Sequence, residues 1–298
     1  MHIEPTSRCI LECPGCPRTW FTDKFRRPFP KQDLDLDLLE NFLSCDTGRN
    51  IDSFMLNGNH GDPIYYPDLL PMIDRFRDTK NFRISTNGSR MKDKFWEDLG
   101  SRMRQSDVIF FSIDGLEDTN HLYRKNSDWN SIMRGLKIMV QSNAKIVWKS
   151  IVFRTNQHQL DEMQDRANSL GVEFVSTITS RFGDDDLIPT DDALIDTDRM
   201  LDRLPPVVEI HPQCLSQEYI SADGYYWPCC LMTSYFTLHR TQLYKERELW
   251  HIQGKTLSEL RKRLLHWSQD IIDDPASAHP VCRMSCKPGQ EFSWSKIR

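Results

Sequence analysis

The stretch CILECPGC, residues 9–16, places Cys9, Cys13 and Cys16 on one short segment near the start of the sequence. The proline and glycine before the third cysteine predict a tight loop at this position. Three thiolates on such a loop can bind three irons of a cubane cluster, which leaves the fourth iron open to a small ligand. A structural zinc site is the alternative, but such sites usually have four protein ligands. The spacing therefore favours an iron–sulfur cluster with an open position.

The composition agrees with metal binding. The 298 residues carry a net charge of -5 and 39% hydrophobic residues, with no apolar run long enough to span a membrane. The first residues lack the basic and apolar segments of a signal peptide, so we expect a cytoplasmic protein in which nine cysteines favour metal ligation over disulfides. No run rich in lysine and arginine stands out, which argues against a nucleic-acid partner, although folding can still assemble a local basic patch.

Short apolar runs alternate with amphipathic stretches over the first two thirds of the chain. Such alternation predicts βα units with parallel strands, and six units favour an α/β fold of the partial (β/α)6 TIM-like barrel type. The predicted strands are residues 2–6, 53–57, 82–86, 108–113, 146–153 and 172–175.

Polar and glycine-rich segments follow the first four predicted strands. They are the cysteine loop, then residues 58–63, 86–88 and 112–115. Parallel α/β folds place their chemistry at the carboxyl ends of the strands. We therefore expect these segments to share one rim and to form one site.

The βα pattern stops near residue 180. Residues 184–186 and 205–206 indicate a linker, which divides the chain into a barrel of residues 1–200 and a small, irregular, cysteine-rich domain of residues 201–298. One helix is predicted there, over residues 256–267. Cys45 stands apart from the other cysteines and is interpreted as a structural thiol.

The CxxxCxxC spacing after the first strand, together with the strand-end segments, resembles the radical S-adenosylmethionine (SAM) superfamily over most of the chain. The resemblance implies that Cys9, Cys13 and Cys16 hold a [4Fe-4S] cluster whose open iron binds the methionine part of SAM. It also implies reductive cleavage of SAM to a 5′-deoxyadenosyl radical, which abstracts a hydrogen from the substrate. Gly15 departs from the pattern, since an aromatic residue often precedes the third cysteine.

Gly61 and Asp62 look like the Gly-Glu-Pro motif of the family, with aspartate in place of glutamate. That motif meets the SAM amino group. Glycine lets carbonyl groups approach an ammonium closely, and a carboxylate adds a charge-assisted hydrogen bond. Asn87 either binds the cofactor or supports the turn before Gly88.

Ser112 and Asp114 resemble the Ser-x-Asp-Gly segment of the family's fourth strand. The resemblance implies contacts with the ribose hydroxyls or the methionine carboxylate. Arg124 stands where similar enzymes have an arginine that pairs with the carboxylate, a partner that suits guanidinium geometry. A surface arginine is the alternative.

A CX9GX4C spacing joins Cys214 to Cys229 and resembles the SPASM or twitch auxiliary-cluster region. The glycine predicts a hairpin that brings the two cysteines together. Cys282 and Cys286 supply a second pair, so the resemblance implies a fully ligated auxiliary [4Fe-4S] cluster of the shorter, twitch type. Cys230 is an alternative ligand to Cys229, and a four-cysteine zinc site is the alternative metal.

These observations predict an enzyme with two [4Fe-4S] clusters and SAM. The leading hypothesis is oxidation or rearrangement of a small molecule, and the alternative is modification of a peptide or protein residue. The sequence begins almost on the first strand, which weighs against a preceding peptide-recognition domain. A non-catalytic iron–sulfur or zinc module is the hypothesis from another class. The expected electron donor is a reductase or a flavodoxin or ferredoxin.

Overall fold

The computed structural model describes residues 1–44, 48, 50–179, 182–195, 210–212, 214, 218–233, 241–276 and 278–286. The strands in this part of the chain form one sheet in the order β6-β5-β4-β3-β2-β1-β7-β8. Strands β1 to β6 pair in parallel, β7 pairs in parallel with β1, and β8 is antiparallel to β7. The strands are β1 His2–Ile3, β2 Ser53–Leu56, β3 Asn81–Thr86, β4 Val108–Ser112, β5 Lys145–Ile151, β6 Glu173–Thr177, β7 Tyr219–Ile220 and β8 Tyr226–Trp227.

Helices connect the parallel strands and continue into the C-terminal region. Several begin at residues whose side chains accept a hydrogen bond from the first turn, as Asp35 does for Leu38 and Asp128 for Ser131. The α-helices are α1 Pro17–Phe25, α2 Leu36–Leu43, α3 Leu69–Phe76, α4 Asp93–Gly100, α5 Asn120–Tyr123, α6 Trp129–Val140, α7 Leu160–Ser169, α8 Cys230–Thr233, α9 Gln242–Lys245, α10 Leu257–Asp273 and α11 Pro280–Ser285. Short 3-10 helices lie at Pro63–Tyr65, Gln157–Gln159, Asp185–Leu187, Asp192–Leu194 and Arg247–Trp250.

Alternation along the strands separates the packed face of the sheet from the face that carries the site. In β3, Phe82 and Ile84 are completely buried in the main core, whereas Arg83 and Ser85 point to the other face and are half-buried. Because the parallel strands pair in register, Ser85 lies beside Phe110 of β4 on this face, and polar side chains meet again only at the strand ends, where Ser112 pairs with Lys149.

The predicted partial barrel of parallel βα units is confirmed. Strand β1 is shorter than predicted because Pro5 has no N–H group for the ladder, and Thr6 forms an isolated bridge with Asp33 instead. The predicted hairpin is present as β7–β8, with Gly224 at φ 79° in its turn, and it extends the barrel sheet beyond β1.

The C-terminal helix α10 is longer than predicted and ends at Asp273, after a capping box between Thr256 and Glu259. Cys45, residues 205–206 and the proposed boundary at residue 200 lie outside the described residues. None of the helices in the described part is long and apolar enough to cross a membrane.

Candidate active site

The cysteine loop and the carboxyl ends of the strands enclose one cavity of about 270 Å³. Cys9, Cys13 and Cys16 all line it, as the strand-end prediction requires. The other lining residues that bear on the chemistry are Gly58, Asn59, His60, Gly61, Asp62, Ser85, Asn87, Ser112, Tyr123, Arg124 and Lys149. The rim expected from the sequence is therefore a single site.

Asp62 is a buried hub between the second and third strand ends. Its Oδ2 accepts hydrogen bonds from the backbone N–H of Asn87 at 2.6 Å and from the Asn87 side-chain amide at 2.5 Å, and its Oδ1 accepts one from Ile64 N–H at 3.2 Å. Burial raises the pKa of Asp62 to about 6. The same Asn87 amide lies 3.7 Å from Sγ of Cys9. Asp62 thus orients Asn87 toward the cysteine loop.

The Gly61 backbone approaches the end of β1 too closely for a side chain. A Cβ atom there would lie 1.9 Å from the carbonyl oxygen of Thr6. The Gly61 N–H donates to Oε1 of Glu4 at 2.9 Å, and the His60 N–H donates to the same oxygen at 2.6 Å. Glycine is required because the loop after β2 lies directly on the loop after β1.

Glu4 is a site residue that the sequence reasoning missed. It is 1% exposed, and its other oxygen accepts a hydrogen bond from the hydroxyl of Tyr219 on β7 and lies 3.5 Å from Nδ1 of His60. Asn59 donates to the carbonyl oxygen of Cys230 at 2.7 Å. These contacts attach the C-terminal hairpin to the rim. The signal that could have found it is a glutamate inside a predicted strand, next to the cysteine loop.

Arg124 lines the cavity, whereas Asp114 lies behind it and is fully buried. Nε of Arg124 donates to Oδ2 of Asp114 at 2.6 Å, and Oδ1 of Asp114 accepts from Ile151 N–H at 2.7 Å. Burial alone would lower the pKa of Arg124, but the Asp114 charge raises it above the usual arginine value. Of the two residues, the arginine therefore faces the ligand space and the aspartate holds it in place.

Ser112 and Lys149 complete the opposite wall of the cavity. Ser112 ends β4 and is paired in register with Lys149 of β5. Burial lowers the pKa of Lys149. The cavity therefore has a carboxylate hub at Asp62 on one side and two cationic side chains, Arg124 and Lys149, on the other.

The thiols of Cys9 and Cys13 suit a metal-bound state better than a free thiolate. Burial raises the pKa of Cys9 to about 12 and that of Cys13 to about 11. Such thiols remain protonated at neutral pH unless a metal cation compensates the thiolate charge. The positive charges of Arg18 and Arg124 also favour the thiolate, since they lower the pKa of Cys13.

The second cysteine set also comes together. Electrostatic interaction joins the thiol of Cys214 to those of Cys229, Cys282 and Cys286, and Cys282 interacts in turn with Cys229 and Cys286. Burial raises the pKa of Cys214 and Cys282, and it raises that of Cys229 to about 11. Three thiols with raised pKa values, each of which interacts with the thiol of Cys286, suit a cation that binds all four as thiolates.

Within the described residues, no three His, Cys, Asp or Glu side chains converge on a point that a single metal ion could occupy. A cubane cluster does not need such convergence, because each cysteine binds a different iron. Cys230, the alternative to Cys229, begins α8 in the main core, and its thiol contributes to the raised pKa of Tyr219.

No family model matches the sequence, and no curated protein matches it. Solved structures do match. SuiB of Streptococcus suis bound to S-adenosylmethionine has a TM-score of 0.59 and 14% identity, over 93% of this chain and 67% of that chain. The protein anSMEcpe with bound AdoMet has a TM-score of 0.60 and 15% identity, over 95% and 83%. BtrN in complex with AdoMet and 2-DOIA has a TM-score of 0.50 and 12% identity, over 98% and 95%.

These neighbours are radical SAM enzymes, and at these identities the likeness concerns the fold. It extends over nearly the whole chain in each case, which includes the region of the second cysteine set. The chain therefore has the fold of the radical S-adenosylmethionine enzymes, as the resemblance in the sequence predicts.

Proposed function

We propose that this chain is a radical SAM enzyme that abstracts a hydrogen atom from its substrate. One observation carries the proposal: Cys9, Cys13 and Cys16 line the same cavity as the polar strand ends. When bound there, a [4Fe-4S] cluster with SAM supplies a 5′-deoxyadenosyl radical by one-electron cleavage of the cofactor. The described side chains provide the remainder of the site, since they bind and orient the cofactor.

The charges of the cavity suit a zwitterionic amino acid group. Arg124 and Lys149 offer cations to a carboxylate, and Arg124 is fixed by its 2.6 Å bond to Asp114. The Asp62–Asn87 pair and the Gly61 loop offer acceptors to an ammonium on the other side. This division supports binding of SAM by its methionine end, next to the cysteine loop.

Cys214, Cys229, Cys282 and Cys286 are proposed to hold an auxiliary [4Fe-4S] cluster. The interaction among their thiols supports this ligand set, and the Asn59–Cys230 hydrogen bond places the segment after Cys229 against the rim. A fully ligated cluster at this position would accept the second electron, from the substrate radical left by hydrogen abstraction at the mouth of the barrel. A net two-electron oxidation would follow.

The test is anaerobic reconstitution with iron and sulfide, followed by reduction with dithionite in the presence of SAM. We expect 5′-deoxyadenosine and methionine as products. A Cys9→Ala/Cys13→Ala/Cys16→Ala variant is expected to lose this activity and to keep about four irons per chain, those of the auxiliary cluster. Absence of 5′-deoxyadenosine from the unchanged, cluster-loaded protein would overturn the proposal.

Two substrate classes are represented among the fold neighbours. A small sugar or aminocyclitol-like molecule agrees with BtrN, whose structure contains 2-DOIA and whose chain is matched over 95% of its length. A peptide agrees with SuiB bound to the precursor peptide SuiA and with anSMEcpe bound to the Cp18Cys peptide, at TM-scores of 0.58 and 0.59. We propose the small molecule first and the peptide as the second candidate.

Fractionated cell extract separates the two classes. The substrate is expected to increase 5′-deoxyadenosine formation, and the small-molecule hypothesis predicts that this stimulation passes an ultrafiltration membrane and survives protease treatment. Stimulation that protease destroys would favour the peptide. The electron donor in the cell is proposed to be a reductase or a flavodoxin or ferredoxin.

A further inference from the structure

The surface beside the cysteine loop has a charge opposite to that of the whole chain. Residues 17–31, here called the basic surface, contain five cationic side chains and one carboxylate, whereas the chain carries a net charge of -5. The exposed cations are Lys24, Arg26, Arg27 and Lys31. Among the described residues, no carboxylate lies within ion-pair distance of these four groups. Their charge is therefore available to a partner.

The basic surface starts at a cluster ligand. Cys16 is the N-cap of α1, and the N–H of Trp20 donates to the carbonyl oxygen of Cys16 at 3.0 Å. One helical turn, about 5 Å, thus separates the two positions along the axis. No residue of α1 is buried, and Trp20 and Phe25 are 39% and 48% exposed. This is a route by which another protein can approach the cluster without entering the barrel.

Aromatic contacts hold the basic surface against the rim. Phe21 packs on Phe25 at 4.8 Å and on Phe29 at 5.1 Å between ring centroids, and Phe29 stacks on His60 at 4.5 Å. Lys24 lies over the Trp20 ring at 4.5 Å. Aromatic and arginine side chains are enriched in protein interfaces relative to the rest of the surface. The surface is thus ordered before any partner binds.

A second opening leads to one of the loop cysteines, Cys9. A cavity of about 1050 Å³ lies beside α1, and its lining includes Thr22, Phe29, Lys31, Cys9 and Arg18. The cluster position is therefore reached both along α1 and through this cavity. A partner on the basic surface would cover the entrance.

We propose that the basic surface is the docking site for a small acidic electron-transfer protein. The inference rests on the proposed function, which requires one electron at the first cluster in each cleavage of SAM. Charge complementarity favours an acidic partner. Because Trp20 of this surface lies one helical turn from Cys16, a partner bound here would be close enough to deliver electrons to the cluster. Attraction of this kind acts mainly on the rate of encounter and weakens with salt.

The test compares two donors on the reconstituted full chain without substrate. Reduced flavodoxin, an acidic protein, serves as the first donor, and dithionite with methyl viologen serves as the second. We expect the Lys24→Glu/Arg26→Glu/Arg27→Glu variant to form 5′-deoxyadenosine about tenfold more slowly with flavodoxin at low salt. With methyl viologen its rate is expected to equal that of the unchanged protein.

A matched variant controls for charge alone. Lys137→Glu/Arg166→Glu/Lys262→Glu reverses three exposed cations on α6, α7 and α10. It is expected to keep the flavodoxin-dependent rate. Iron content and the thermal unfolding midpoint verify that both variants are loaded and folded. The unchanged protein gives an independent readout, because its flavodoxin-dependent rate is expected to fall as the salt concentration rises.

The outcomes separate the docking site from the proposed function. Equal flavodoxin-dependent rates in the two variants, or a salt-independent rate in the unchanged protein, would overturn the docking site while the enzyme activity stands. A change in oligomeric state with an unaffected flavodoxin rate would assign the surface to a second copy of this chain instead. No 5′-deoxyadenosine from the unchanged protein with methyl viologen would remove the proposed function itself, and the docking site with it.

Discussion

Nε of Arg124 and Oδ2 of Asp114 are 2.6 Å apart, with the aspartate fully buried and the arginine at the wall of the cavity. We predict that Asp114→Asn destabilises the protein by about 3 kcal/mol, because it leaves a largely buried guanidinium without its carboxylate. SAM affinity is expected to fall as well, since the guanidinium loses its fixed orientation. Urea unfolding and calorimetric titration with SAM measure the two effects.

The companion change Arg124→Lys keeps the charge and loses the planar fork. We expect it to weaken SAM binding while it costs less stability than Asp114→Asn. Unchanged stability in Asp114→Asn would contradict the positioning role of the aspartate.

Alanine substitutions at Gly61 and Gly171 test whether the rim loops require their close approach, with Gly171 as the control. Gly61→Ala would place Cβ 1.9 Å from the Thr6 carbonyl oxygen, so the loop after β2 must move. Gly171→Ala meets no atom within 4 Å and carries only the strain of φ 71°, about 1 kcal/mol. We predict loss of SAM binding for Gly61→Ala and normal binding for Gly171→Ala. Equal SAM affinities for the two variants would contradict the required contact.

Substitution of the adjacent residues Cys229 and Cys230 distinguishes the proposed cluster ligand from the core cysteine. We predict that Cys229→Ser lowers the iron content from about eight to about four per chain, and that Cys230→Ser leaves it near eight. The reason is that the Cys229 thiol interacts with those of Cys282 and Cys214. Iron analysis and Mössbauer spectroscopy of the reconstituted variants measure this, and the reverse pattern would assign Cys230 as the ligand.

His2 gives the protein a pH-dependent stability. It is 4% exposed, its Nε2 lies 2.5 Å from the carbonyl oxygen of Asn57, and burial lowers its pKa from 6.5 to about 4. In the unfolded chain the His2 imidazole is therefore protonated below pH 6.5, whereas in the folded chain it stays neutral down to about pH 4. The contribution of His2 to the free energy of unfolding is therefore fully present above pH 6.5. It decreases by about 3 kcal/mol as the pH falls toward 4.

The His2→Gln variant measures this contribution, because glutamine offers an amide donor near the same carbonyl and does not titrate. We predict that the difference in unfolding free energy between the two proteins shrinks or reverses between pH 6.5 and pH 4. Comparison with the variant removes other titrating groups, such as Asp62. A constant difference across this range would show that His2 does not titrate in this window.

Much of this arrangement was accessible from the sequence. The CxxxCxxC loop, the alternating runs and the strand-end segments predicted a parallel sheet with a site at one rim, because the carboxyl ends of parallel strands must lie together. The hairpin between Cys214 and Cys229 was likewise predicted from a glycine that takes a positive φ. Local patterns suffice where the backbone geometry itself fixes the relationship.

Only the tertiary structure decided which side chains face the ligand. Asp114 and Arg124 were both assigned to SAM from the family resemblance, yet Asp114 is buried behind the cavity and Arg124 lines it. Glu4 joins the rim loop to Tyr219, which lies 215 residues away in the sequence. The cations of the basic surface follow Cys16 directly in the sequence, whereas only the structure shows that four of them are exposed and that Phe29 stacks on His60 of the rim. Such contacts depend on the balance of buried charges and hydrogen bonds between distant segments, which no local spacing encodes.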